Sequence, residues 1–305
     1  MLAFAARRFI GALWVLVGVG TVVFIILHLT GDPATIMMPP DATAADIARF
    51  RHVQGFDRPL IVQYGDFAWR AIHGDFGDSL RHDEPALGLA LERLPATGEL
   101  SLVALLLAVA VAIPAGIIAA TRRNSAADYL VRVVSLIGQS APVYWLGLMM
   151  ILVFGVALGW FPVSGIGGIQ HLVMPAITLG AFSMAKLMRL TRSSMLDVMR
   201  SDYLRTASAK GVPPLRLLLH HALRNAWLPI ITTIGVELGT LLSGAIITET
   251  IFAWPGIGRL VVQAINDRDY PLVEVIVLMA ATAFVILNLL VDLTYAALDP
   301  RIRYD

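Results

Sequence analysis

The chain has 305 residues, 57% of them hydrophobic and only 15% charged, against roughly 25% charged in an average soluble domain. With a mean hydropathy of +0.75, there is too little charge to clothe a water-facing surface, and a soluble fold does not fit. The net charge of +1 argues against nucleic acid as a partner. The absence of cysteine removes disulfides, thiolate metal sites and cysteine nucleophiles. Lys occurs only at Lys186 and Lys210, neither in a Gly-Lys-Ser/Thr setting, so the chain lacks a phosphate-cradling loop of the Walker A type.

Windows free of charge place the membrane spans in chain order. Arg8 and Asp32 bracket 23 uncharged residues, and Glu99 and Arg122 bracket 22, each long enough for a hydrocarbon core of about 30 Å. Residues 133–185 are uncharged throughout, but the Gly- and Pro-rich stretch Gly159–Gly168 divides them. That gives one span near 133–158, with a kink at Pro142, and another in which Pro175 occupies the first helical turn. Further spans are expected at 228–250 and 273–297, for six in total. Lys and Arg concentrate at Arg7-Arg8, Arg122-Arg123, Arg132, Lys186 to Arg224, Arg301 and Arg303, which predicts cytosolic N- and C-termini.

The first external stretch carries Phe56, Tyr64, Phe67, Trp69 and Phe76, with turns at Gly74, Gly77 and Pro85. It reads as a small folded element that caps helix ends or docks an external partner. The cytosolic stretch after span four carries more information. Ser193–Lys210 has helical composition and stops at Gly211, a natural left-handed terminus. Pro213-Pro214 then bars continuation and starts a second short helix, Leu215–Ala226. Such a basic elbow fits a generic positive-inside loop, a lipid-headgroup platform or a lever gripped by a cytosolic motor, and the local pattern favours the lever.

Asp202-Tyr203-Leu204-Arg205-Thr206-Ala207 through Lys210-Gly211, followed by Pro213, His221, Arg224 and Pro229, resembles the "EAA" loop of bacterial ABC-importer permeases. Gly31-Asp32-Pro33, Asp57-Arg58-Pro59, Pro142-Val143-Tyr144-Trp145, Pro255-Gly256-Ile257-Gly258 and the tail Asp299–Tyr304 extend the resemblance along the chain. More narrowly, the chain is similar to B-type permease subunits of dipeptide and oligopeptide importers. The resemblance implies an all-α membrane protein of six transmembrane helices with the MetI-like type I ABC importer fold. Its parts would be a transmembrane helix over 1–29, an extracytoplasmic segment over 30–94, a type I domain over 95–297 containing the 193–226 coupling loop, and a tail over 298–305. It also implies a second, C-type permease, two cytosolic ATPases that hold ATP and Mg2+, an external solute-binding protein and a peptide substrate. The acidic first position of the motif is Arg205 here, and a Pro expected beyond Gly211 is Arg224. No cofactor is expected in the chain itself.

Polar residues in the spans are candidates for a translocation path: Gln139, Ser140, Ser183, Thr233, Glu237, Thr240 and Asn288. Glu237 is expected either to make an interhelical hydrogen bond or pair with a base on the partner permease, or to line the cavity and meet a substrate ammonium. Lys186, Arg189 and Arg192 are expected to snorkel to headgroups, Asp292 to pair with a nearby Arg, and Gly235, Gly239 and Gly244 to permit close packing. No His-Glu-x-x-His or Gly-x-Ser-x-Gly occurs, so no catalytic set is expected. The rivals are a same-fold importer of a nickel chelate, glutathione or another small solute, and an ion-coupled secondary transporter. The latter predicts inverted repeats that the chain does not display.

Overall fold

The computed structural model describes residues 2–29, 32–38 and 41–298, with the backbone alone at 2–6, 27, 28, 33, 36, 54 and 292–298. Gly31, the Asp299–Tyr304 tail and the Asp292 side chain therefore lie outside the described residues. In chain order the helices are α1 (Leu2–Leu29), α2 (Pro33–Met37), α3 (Ala44–Gln54), α4 (Leu60–Ile72), α5 (Ala86–Thr121), α6 (Ala126–Ser140), α7 (Val143–Met150), α8 (Ile169–Met199), α9 (Asp202–Ala209), α10 (Pro214–Arg216), α11 (Leu223–Ile251), α12 (Ile257–Asn266) and α13 (Tyr270–Leu298). Turns of π-helix continue α7 over Ile151–Ala157 and join α10 to α11 over Leu217–Ala222. Among the described residues the only β pairing is a single bridge between Asp78 and Pro85. Among the described residues five helices are long and apolar enough to cross a membrane, and α6 with α7 makes a sixth if the bent pair is one span.

Residues 1–97 and 255–305 form one compact unit, and residues 98–254 a second. In the first unit, α1 lies along α13, where the Cβ of any residue larger than glycine at Gly20 would touch Leu278. Tyr64 of α4 shares a 2.7 Å hydrogen bond with Thr21 and packs edge-on against Phe24. Ala86 and Ala90 of α5 pack with Leu260 and Val261 of α12 and Val275 of α13. The short helices that follow α1 carry their own caps. Asp32 accepts from the Thr35 amide to start α2, and Thr43 and Asp46 form a reciprocal capping box on α3. Gly55, at φ 76°, ends α3 in the left-handed region that favours glycine.

In the second unit, α8 packs against α5, α6 and α11. The α5 contact is made by small residues: Ala104, Ala108 and Ala112 are fully buried. A Cβ at Gly180 would stand 2.8 Å from the Ala104 carbonyl oxygen, and one at Gly116 would stand 2.6 Å from Thr191. These close approaches, rather than one at Gly244, bring helix backbones together. Met150, Met174 and Phe252 form the cluster beneath the 159–168 turn, which Gly165 ties down through a 2.9 Å bond to the Phe252 carbonyl.

Several boundaries differ from the sequence expectation. Pro142 does more than kink span three: α6 and the α7 helix meet at a bend of 109°. The fourth span begins at Ile169, which puts Pro175 inside α8 rather than in its first turn. A Pro within a membrane helix is tolerated where neighbours resatisfy the freed carbonyl. The expected 193–210 helix is broken at Arg200-Ser201, because α8 carries on to Met199 and α9 starts afresh at Asp202. The second helix of the elbow is not separate from span five: helical structure runs unbroken from Pro214 to Ile251, with Pro229 inside it.

Candidate functional site

The elbow is a polar cap on an apolar base. Leu204 of α9 is buried with Ala120 of α5, Met195 of α8 and Ala222 and Ala226 of the long helix. Asn225 Nδ2 donates to the Tyr203 hydroxyl at 2.7 Å and to the His221 carbonyl at 2.9 Å, clasping α9 to α11. Gly211 turns the chain at φ 82°, and Pro213 caps the helix that begins at Pro214. Above this base Asp202, Arg205, Thr206, Lys210, Pro213 and Arg224 are exposed, Ala207 and His221 are half-buried, and Leu215 and Leu219 add apolar surface. Arg205 lies 3.5 Å from Asp202, an exposed pair worth little in itself. The elbow residues picked from sequence thus lie together on two segments clasped to each other.

The candidate path residues do not. Gln139 and Ser140 end α6, half-buried and exposed respectively. Thr233 and Thr240 spend their hydroxyls on the carbonyls of Pro229 and Val236 in their own helix. Asn288 is half-buried in α13, in the other unit. Ser183 and Glu237 do meet: both are buried, and the Ser183 hydroxyl donates to Glu237 Oε2. Lys186 Nζ donates to Oε1 at 2.7 Å, so both carboxylate oxygens are occupied and Glu237 is 1% exposed. Of its two expected roles, the structure shows the interhelical bond.

The same geometry corrects the reading of the α8 bases. Lys186 and Arg192 do not reach for headgroups. Lys186 pairs with Glu237, and Arg192 grips Asp128 through Nε at 2.6 Å and Nη2 at 2.9 Å. Asp128 is fully buried and also accepts from the Asn124 amide. Asp128 was missed from sequence, although Ser125 three residues before it carries a helix-start signal, and Ser125 Oγ does cap the Asp128 amide. Among the described residues no group of three or more His, Asp or Glu could hold a metal.

Residues 112–304 match the family described as binding-protein-dependent transport system inner membrane component, and residues 1–103 match the N-terminal component of such membrane proteins. The chain is 42% identical to the dipeptide transport system permease protein DppB of Alkalihalophilus pseudofirmus over 333 aligned positions, covering both chains completely. It is 41% identical to the di/tripeptide transport system permease protein DppB of Pseudomonas aeruginosa, covering all of this chain and 99% of the relative. It is 40% identical to the glutathione transport system permease protein GsiC of Escherichia coli K12 over 305 positions, again covering both completely. The helical architecture and these full-length matches agree, and the chain belongs to the inner-membrane components of binding-protein-dependent transport systems, as a multi-pass permease subunit.

Proposed function

We propose that this chain is the B-type permease subunit of a peptide importer and works by alternating access. A homologous second permease completes the path, two cytosolic ATPases supply energy, and an external binding protein delivers solute. The observation that carries this reading is the elbow: Arg205, Lys210, Leu215, Leu219 and Arg224 form an exposed basic and apolar surface on a base locked by Leu204 and the Tyr203–Asn225 clasp. A basic loop that merely obeyed the positive-inside rule would not need such a base. In this mechanism closure of the ATPases on ATP presses the elbow, the long helix from Pro214 transmits the movement, and hydrolysis resets it. The chain contributes the transmitting parts and no nucleotide site.

Gly211 offers the direct test. A Cβ there has open space around it, so Gly211→Val acts only through the left-handed backbone, at a cost of about 1–2 kcal/mol. In the complex reconstituted in vesicles, Gly211→Val should lower ATP-dependent dipeptide uptake several-fold, and Gly211→Asn, which tolerates the conformation, should retain most of it. Uptake driven by an ion gradient without ATP would overturn the proposal. A glutathione substrate is the second reading. It is favoured by the alignment over 305 positions with that permease, where the dipeptide permease alignment runs over 333. Competition between a dipeptide and glutathione for uptake separates the two.

A further inference from the structure

We infer that the exposed edge of α8 bearing Lys186 and Arg189 is a subsite for a carboxylate of the transported solute. The inference rests on the importer reading above and names the charge that the path would recognise.

Phe182, Lys186, Arg189 and Ser193 recur along α8 with helical spacing and form one stripe. Phe182 is 46% exposed, the Lys186 side chain 43%, and Arg189 and Ser193 are exposed as well. On the adjoining helix α11, Val236, Thr240, Ser243 and Ile247 form a second exposed stripe with the same spacing. Lys186 lies 17 residues beyond Ile169, about 26 Å down its helix, and Arg189 lies a turn beyond it, near the inner edge of a core of about 30 Å. At that depth the two cations stand where an aqueous path would open to the inner side, within reach of water and of an anion.

Glu237 decides the sign of the surface. Its carboxylate is enclosed and both oxygens are taken by Ser183 and Lys186, so a substrate ammonium has no route to it here. The ammonium of Lys186 has three donors, one of which is held by Glu237, leaving two on the exposed side. Glu237 thus fixes Lys186 in place and balances its charge. Arg189 makes no ion pair among the described residues, so its guanidinium adds one uncompensated positive charge a turn further along. A fixed ammonium beside a free guanidinium suits a carboxylate, through charge-assisted hydrogen bonds. A peptide supplies that group at its C-terminus or on an acidic side chain.

The test uses the assembled importer in vesicles with its ATPases, second permease and binding protein. Uptake is compared for alanyl-alanine, alanyl-alaninamide and aspartyl-alaninamide. The binding protein is the same for every variant, so its own selectivity cancels when acid-to-amide ratios are compared. Arg189→Gln, and separately the double change Lys186→Met with Glu237→Leu, should each lower the ratio for alanyl-alanine about tenfold. Changing both partners strands no buried charge. If the double variant fails to assemble, Arg189→Gln, at an exposed position, decides alone. Wild-type preference for aspartyl-alaninamide over alanyl-alaninamide, lost in the variants, would mark any carboxylate as the ligand; preference for alanyl-alanine alone would mark the C-terminus. Unchanged ratios with uptake intact would overturn the subsite. Absence of ATP-dependent uptake of any probe by the wild-type complex would instead overturn the importer reading.

Discussion

Asp128 and Arg192 join two helices through a two-pronged contact in which the acid is fully buried and the Arg192 side chain only 20% exposed. Removing one member of such a pair leaves the other charged and without its partner, a loss of about 3–5 kcal/mol. Asp128→Ala should therefore lower the melting temperature of the detergent-purified chain sharply. Asp128→Asn, which still accepts from the Asn124 amide, should lower it less. The acid could not be assigned to its base from sequence. Spacing within α8 put Lys186, Arg189 and Arg192 on record as cations, but Glu237 and Asp128 stand 51 and 64 residues from their partners. Periodicity along one helix says nothing about what the next helix brings to it.

The contact between α5 and α8 depends on the absence of side chains. Gly180 lies against the Ala104 carbonyl and Gly116 against Thr191 and the Met188 carbonyl, so added atoms must move a backbone. Gly180→Ala should cost about 1–3 kcal/mol through overpacking, read as a lower unfolding temperature, whereas Gly18→Ala, with open space at its Cβ, should change little. The signal was present as small residues at every fourth position, Ala104, Ala108, Ala112, Gly116 and Ala120, and charge counting passed over it. Charge-free windows did locate the spans well. They failed where the cause is backbone geometry: the 109° bend at Pro142, the break at Arg200-Ser201, and the π turn that fuses the elbow to span five. Composition marks a proline or a run of leucines without fixing the angle or hydrogen-bond register that follows.

Within the unit of residues 1–97 and 255–305, the element built from α2, α3 and α4 is held by ion pairs as well as rings. Arg51 of α3 reaches Asp32 at 2.6 Å, and this bond, against an opposing push from burial, holds the Asp32 carboxyl below the usual aspartate value of 3.8. A carboxyl whose folded pKa is depressed contributes its full share above the unfolded value and loses it as pH falls through the folded one. Exchange of the Thr35 amide, which donates to Asp32, corrected for intrinsic rate, should stay protected at pH 5 and rise only once pH drops below the ordinary aspartate range. With Arg51→Gln the rise should begin at higher pH. This element was legible as a small folded unit from its aromatic residues, but its helix caps at Asp32 and Thr43 were passed over, and the Arg51 bond spans 19 residues and had no local mark.

The unbroken helix from Pro214 to Ile251 is held to α8 at two levels, by Ser183 and Lys186 at Glu237 and by the packing of Ala222 and Ala226 with Met195. About 17 Å of helical rise separates Ala226 from Glu237, so the pair cannot pivot about one bond and must tilt as a single body. A push on the elbow is then delivered undiminished to the opposite tip, and loosening either anchor would let the near end flex while the far end stayed still.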